Sequence, residues 1–222
     1  MYKKIVGALL VVIGLVILGF IALLLYIARQ GPIQNASSIP QTLTRTTAGT
    51  PFIPTAGDDP TLGNPAAPIV IISFADYQCP YSKAAEEIMV NLVQRYPDDL
   101  LFVYRDFPLY THPQAEAAAQ AAECADEQNQ FWPYNALLFE QQDNLAQAGL
   151  FATLAEQLNL DLIQFNDCVA ASQTAVEVQH DLDEALLAGL NATPTYFVNG
   201  TKLVGVRSEA DWVDTIETIL SD

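Results

Sequence analysis

The order of segments in this chain predicts an α/β domain carried behind a single membrane-spanning helix. Three observations carry that expectation. An unbroken apolar run fills Ile5–Ile27 near the N-terminus. A β-branched run, a helical pattern and a second apolar run follow one another between Ile69 and Tyr104. A long helical stretch then ends in a hairpin pattern over Thr195–Val206 and a last amphipathic helix over Glu209–Leu220.

Taken in order, the first element is the apolar run. As a helix it measures about 34 Å, against a hydrocarbon core of about 30 Å. A cleavable signal has an apolar stretch of about 7–15 residues and a small-x-small cleavage site. This run is longer, and Leu23-Leu24-Leu25-Tyr26-Ile27 offers no such site. No cysteine follows that could carry a lipid. Residues 1–29 therefore read as an uncleaved signal anchor. Lys3, Lys4 and the amino terminus precede the span and only Arg29 follows it, which keeps the N-terminus cytoplasmic and sends the rest to the periplasmic or extracellular side. Gly7 and Gly14 stand seven residues apart on one helical face with Val11 between them. Small residues so placed let another membrane helix approach closely, although glycine is also simply common in membrane spans.

Residues 30–60 are rich in Pro, Thr, Ser and Gly without periodicity and read as a flexible tether. Residues 61–222 read as the folded domain. Ile69–Phe74 suits a buried strand. A helical pattern runs from Pro80 to about Arg95, with Ala84, Ala85, Ile88, Met89 and Leu92 on one face. Tyr96-Pro97-Asp98-Asp99 makes the turn into a second strand, Leu100–Tyr104, and strand–helix–strand implies a parallel crossover. From about 113 to 190 the chain is Ala-, Gln- and Leu-rich, and three or four helices are expected, broken around Pro133, Gly149 and Asn159-Leu160-Asp161. Asn199-Gly200 then marks the turn between Thr195–Val198 and Lys202–Val206.

The chemistry concentrates in Phe74-Ala75-Asp76-Tyr77-Gln78-Cys79-Pro80-Tyr81-Ser82. It has the layout of a strand running into a redox-active Cys-Pro-x-Cys turn, with Ser82 where the second cysteine would stand. A dithiol site works in two strokes: one thiolate attacks, and a partner thiol resolves the mixed disulfide. A serine hydroxyl ionises far too weakly for the second stroke. The motif is half of a disulfide-exchange site.

These motifs, together with Leu62-Gly63-Asn64-Pro65, Glu123-Cys124-Ala125-x-x-Gln128-x-x-Phe131-Trp132 and Thr193-Pro194-Thr195-Tyr196-Phe197-Val198-Asn199-Gly200, resemble the DsbA-like proteins of the thioredoxin fold. The resemblance covers roughly residues 61–220 and implies a thioredoxin fold with an α-helical insertion at about 113–190. It implies that Cys79 is the nucleophile, exposed at a helix N-terminus where the dipole and free N–H groups favour a thiolate. It makes Pro194 a cis-proline facing that sulfur, with Thr193 presenting its backbone to substrate and Pro80 and Tyr81 contributing to the binding surface. It pairs Cys124 with Cys168, a closure worth about 4 kcal/mol by chain entropy. The chain departs from the family pattern at Ser82, and again at Ser73, where related proteins often place a buried acid six residues before the nucleophile. Asp76 reads as part of the turn instead.

Other chemistries find no foothold. The exported part carries a charge of −20, from six basic against 26 acidic residues, so nucleic acid is not a partner. His112 and His180 are too few and too far apart for a metal site, no Cys-x-x-Cys-His attaches haem, and no glycine-rich loop follows a strand, so no metal or cofactor is expected. His112 reads as a loop residue, and Trp132 and Trp212 as core. Three functions remain open. The domain is an accessory or scaffolding subunit of a membrane protein complex, an electron-transfer assembly being one candidate. Or it is a thiol–disulfide oxidoreductase or isomerase acting on cysteine-containing proteins through Cys79 alone. Or Ser82 is a trapping substitution in an ordinary dithiol enzyme.

Overall fold

A computed structural model describes residues 59–221. The apolar run of residues 5–27, Gly7 and Gly14 lie outside them, as does most of the tether. Among the described residues no helix is long and apolar enough to cross a membrane. The domain is built on five strands, β1 (Thr61–Gly63), β2 (Ile69–Ala75), β3 (Leu100–Asp106), β4 (Thr195–Val198) and β5 (Thr201–Val204), in the order β1-β3-β2-β4-β5. β2 and β3 are parallel, with Ile72 opposite Val103, and the other three pairings are antiparallel.

The parallel pair is joined by helix α1 (Pro80–Arg95). Proline at its first position needs no N–H partner, and the helix stops one residue before Tyr96-Pro97, where the coming proline disfavours helical backbone. α1 and the last helix, α7 (Glu209–Ser221), cover one face of the sheet, burying Ile71, Met89, Leu92, Phe102, Tyr196, Trp212 and Ile216 together. The opposite face buries Ile72, Phe74, Val103 and Phe197 against Ala185 and Leu190. Period-two alternation thus sends Ile71 and Ile72 to different cores. Ala84, expected on the buried face of α1, is exposed, and Glu86 takes a buried place.

Between β3 and β4 the insert has five helices rather than three or four: α2 (Ala115–Asp126), α3 (Phe131–Glu140), α4 (Leu150–Gln157), α5 (Leu162–Ala171) and α6 (Ala175–Leu187), with a single 3₁₀ turn at Gln142–Asn144. Pro133 is not a break. It is the third residue of α3, where its missing N–H breaks no intrahelical bond. The interruption comes earlier, at Asn129, whose φ is +58°, and a further one falls at Ser172, φ +48°. Gly149 (φ +78°) and Asn159 (φ +56°) do interrupt the chain, and the Asp161 side chain caps α5 by accepting from the Ile163 and Gln164 amides. The insert has its own core, which includes Tyr134, Leu138, Phe139, Leu154 and Phe165, and its Cys124 and Cys168 are disulfide-bonded with Cα atoms 5.9 Å apart. Trp132 packs between this core and the α1 side of the sheet, and its indole N–H donates to Thr61 O at 2.8 Å.

Thr61–Gly63, where the folded domain begins, forms the edge strand β1. Gly63 ends it with φ +105°, and an added Cβ would lie 2.3 Å from Leu100 O, so only glycine fits. The β4–β5 turn has φ +43° at Asn199 and +84° at Gly200, the pair of positive values that a two-residue hairpin requires. β5 ends at Val204, two residues short of the expected strand, as Gly205 turns with φ +84°.

Candidate functional site

β2 delivers the chain to the C-terminal end of the sheet, where Asp76–Cys79 makes a tight turn into α1. The Cys79 N–H donates to Asp76 O at 3.0 Å, and the Gln78 N–H donates to Asp76 Oδ1 at 2.7 Å. Asp76 is buried and belongs to the turn. Its other oxygen accepts from the Leu109 N–H at 2.8 Å and lies 2.8 Å from His112 Nδ1. His112 is therefore more than a loop residue: it fastens the β3–α2 loop to the thiol turn.

Cys79 is the N-cap residue of α1, but its thiol caps nothing. Sγ donates instead to Thr193 O at 3.3 Å. The Thr193–Pro194 peptide is cis, and both residues are buried. The exposure expected for Cys79 is not found: the residue is 4 % exposed and is the free cysteine of the described chain. The reason is local, since the sulfur is turned under the Thr193–Pro194 loop. Pro80 and Tyr81 beside it are exposed, Tyr81 to 66 %. The Thr193 hydroxyl oxygen is buried without a hydrogen-bond partner.

Ser82 points inward, and its Oγ accepts the Asp76 N–H at 3.2 Å. The hydroxyl thus serves the backbone of the turn and is not bonded to the sulfur. Ser73, the position of the family's buried acid, lies buried in β2 opposite Tyr196. An acid is nonetheless buried nearby: Glu86, one helical turn beyond Ser82, accepts from the Asn135 amide. Burial pushes its carboxyl up to about 7, against the pull of that hydrogen bond. No sequence signal marked Glu86 except its place four residues after Ser82.

A second contact missed in the sequence comes from the insert. Gln142, in the 3₁₀ turn after α3, donates from Nε2 to Tyr77 O at 2.7 Å and to Cys79 O at 3.0 Å. Beside the turn lies an apolar cleft of about 610 Å³, lined among others by Leu109, Tyr110, His112, Leu182, Leu190 and Asn191. Asn191 is two residues from Thr193, so cleft and thiol are neighbours along the chain.

The charged groups gather elsewhere. Arg105, 2 % exposed, is paired with Asp59, Asp181 and Glu184. Next to it a cavity of about 230 Å³ is lined by Asp59, Glu123, Asp126, Glu127, Glu177 and Asp181 among others. Burial, reinforced by neighbouring carboxylates, pushes Glu123 and Asp181 each up to about 8, and pushes Asp106 well up. Among the described residues no group of histidine, cysteine or carboxylate side chains is placed to hold a metal ion.

A central sheet with a parallel β2–β3 pair, a cysteine at the N-terminus of the crossover helix, a cis-proline loop against its sulfur and a helical insert define a DsbA-like thioredoxin-fold protein. The comparisons agree on the fold, and the chain belongs to the thioredoxin family: the family model described as Thioredoxin matches residues 55–218. Among solved structures, alpha-DsbA1 of Wolbachia pipientis shares the fold with a TM-score of 0.67 at 23 % identity, over 76 % of this chain and 93 % of that one. BdbD of Bacillus subtilis does so with a TM-score of 0.66 at 24 % identity, over 79 % and 100 %. Curated relatives carry a different name. A protein of Salinispora tropica named Na(+)/H(+) antiporter NhaA 3 is 40 % identical over 137 residues, 61 % of this chain and 21 % of its own length. A protein of Mycobacterium sp. (strain KMS) named Na(+)/H(+) antiporter NhaA 1 is 35 % identical over 158 residues, 70 % of this chain and 26 % of its own. The match spans only about a fifth to a quarter of those antiporter-named proteins.

Proposed function

We propose that this protein of the thiol–disulfide oxidoreductase type is held at the extracytoplasmic face of a membrane by residues 1–29 and serves there as an accessory subunit of a membrane protein assembly. On this reading Cys79 makes at most one bond to a partner. The observation that carries it is the orientation of Ser82. Its hydroxyl is committed to the Asp76 N–H, so position 82 supports the turn and offers nothing to displace a partner's sulfur. The chemistry follows by balance. Cys79 thiolate attacks a partner disulfide, one S–S bond forms as another breaks, and the partner's second sulfur leaves as a thiolate. With no second thiol here, the mixed disulfide persists until an outside thiol or the partner's own thiolate cleaves it. The occurrence of a similar domain within longer proteins named as sodium–proton antiporters supports a place beside a membrane protein.

A second reading, exchange through Cys79 alone, is favoured by the intact Thr193–Pro194 loop and the apolar cleft beside it. One experiment separates the two. The full-length protein is purified from native membranes in mild detergent, and its oxidation of a reduced test protein is compared with that of Ser82→Cys. The accessory reading expects membrane-protein partners to co-purify and the natural form to be at least about tenfold slower than the variant. A protein that purifies alone and matches its variant in rate overturns it. A variant as inert as the natural form would trace the loss to Ser73.

A further inference from the structure

We propose that Gln142 is a positioning residue, through which the helical insert holds Cys79 Sγ against Thr193 O. The inference rests on the reading of Cys79 as the bond-forming atom. It starts from the hydrogen bonds of the turn. The Cys79 N–H to Asp76 O, the Gln78 N–H to Asp76 Oδ1, the Asp76 N–H to Ser82 Oγ and the Lys83 N–H to Cys79 O all join residues within 76–83. These bonds shape the segment, and Asp76 Oδ2 ties its start to the β3–α2 loop through the Leu109 N–H and His112.

The two outward carbonyls fix the end of the turn next to the thiol. Tyr77 O and Cys79 O both accept from the Gln142 amide nitrogen, at 2.7 and 3.0 Å, which uses both of its hydrogens. Gln142 is buried, so water competes little for either bond. Its backbone follows directly from α3, whose Tyr134, Leu138 and Phe139 sit in the insert core with Cys124 and Cys168. The Phe139 ring also packs on Tyr77, with centroids 4.9 Å apart. A continuous path of packing and hydrogen bonds therefore runs from the insert core through Gln142 to the backbone of the nucleophile. Other contacts between turn and insert are more exposed: the Gln114 N–H to Gln78 Oε1, and Lys83 Nζ to Glu140 O at 3.4 Å.

The test compares the full-length protein with Gln142→Met, which keeps the length and removes both donors, and Gln142→Asn, which keeps the amide but loses its reach. Two rates are measured: alkylation of Cys79 by iodoacetamide at several low urea concentrations, and amide hydrogen exchange residue by residue. Loss of two buried hydrogen bonds should raise alkylation of Cys79 about tenfold in both variants without steepening its urea dependence. The Gln78 and Cys79 amides should exchange faster by a similar factor, while those of Ile71 and Val103 in the sheet stay unchanged. Unaltered alkylation and exchange in both variants overturns the proposal. So does an acceleration shared equally by the sheet amides, which would mark Gln142 as merely stabilising. Incubation with oxidised glutathione tests the underlying reading separately. Failure of natural Cys79 to form a mixed disulfide would sink that reading, while a local effect of Gln142 would still stand.

Discussion

Two buried polar regions of this domain solve the same problem in opposite ways. In the thiol turn, Asp76 meets the Gln78 and Leu109 amides and His112, and the outward carbonyls of Tyr77 and Cys79 meet Gln142. Geometry there satisfies the Asp76 carboxylate and the backbone of the turn. Around Arg105, the carboxyls of Asp59, Asp181 and Glu184 share a single guanidinium, and burial beside other carboxylates holds protons on Asp106, Glu123 and Asp181. The first region depends on directed bonds. The second depends on the proton concentration.

The largest effect that would break this contrast is removal of the guanidinium. Arg105→Met should cost about 3–5 kcal/mol at neutral pH, because it leaves buried carboxylates without their cation. Urea unfolding at pH 7 and pH 5 checks it, and the deficit should shrink at pH 5, where protons replace the lost charge. A deficit independent of pH would show that Arg105 acts by packing alone.

The intermediate effect is the pH dependence of the natural protein. Glu123 and Asp181 are pushed up to about 8 and Glu86 to about 7, all above the ordinary carboxyl range. The folded state therefore keeps protons that the unfolded chain releases. Their contribution is fully present below about pH 4 and is lost as pH rises toward 8. Unfolding midpoints in urea should fall steadily from pH 5 to pH 8, and Glu123→Gln should flatten the slope. A midpoint that rises over that range would contradict the assignment.

The smallest effect sharpens the other side. Ser82→Ala strips the Asp76 N–H of its acceptor in a buried place and should cost about 1–2 kcal/mol, equally at pH 5 and pH 8. Guanidinium unfolding at both values measures it. A neutral substitution would mean that the serine hydroxyl has no part in shaping the turn.

Much of the fold was legible because its signals are local. The β-branched run of β2, the Asn199-Gly200 turn and Pro80 opening α1 each act within a few residues, and Cys79 and Thr193-Pro194 stood out by residue type. Pro133 misled because a proline breaks a helix interior but not its first turn. Gln142, His112 and the Asp59–Arg105 pair were invisible for another reason. Gln142 lies 63 residues from Cys79 and His112 lies 36 from Asp76, and each is an ordinary polar residue until the chain brings it to its partner. Cys79 itself was located correctly and described wrongly, since helix position carries no information about the loop that covers the sulfur.

The pairing of Asp59 with Arg105 has a practical meaning for anyone cutting this protein into pieces. Asp59 holds the buried guanidinium, and Pro60 O accepts from the Tyr104 amide at 3.0 Å, so the folded unit already includes the last two residues that composition assigns to the tether. A fragment begun at Thr61 would keep every strand and helix yet lose one of the three carboxylates that pair with its most deeply buried cation. Because β1 runs antiparallel to β3 and β3 parallel to β2, Asp59 also stands at the end of the sheet that carries Cys79. The chain therefore enters the described domain at the pole that carries the thiol, whereas the β4–β5 turn lies at the opposite end of the sheet.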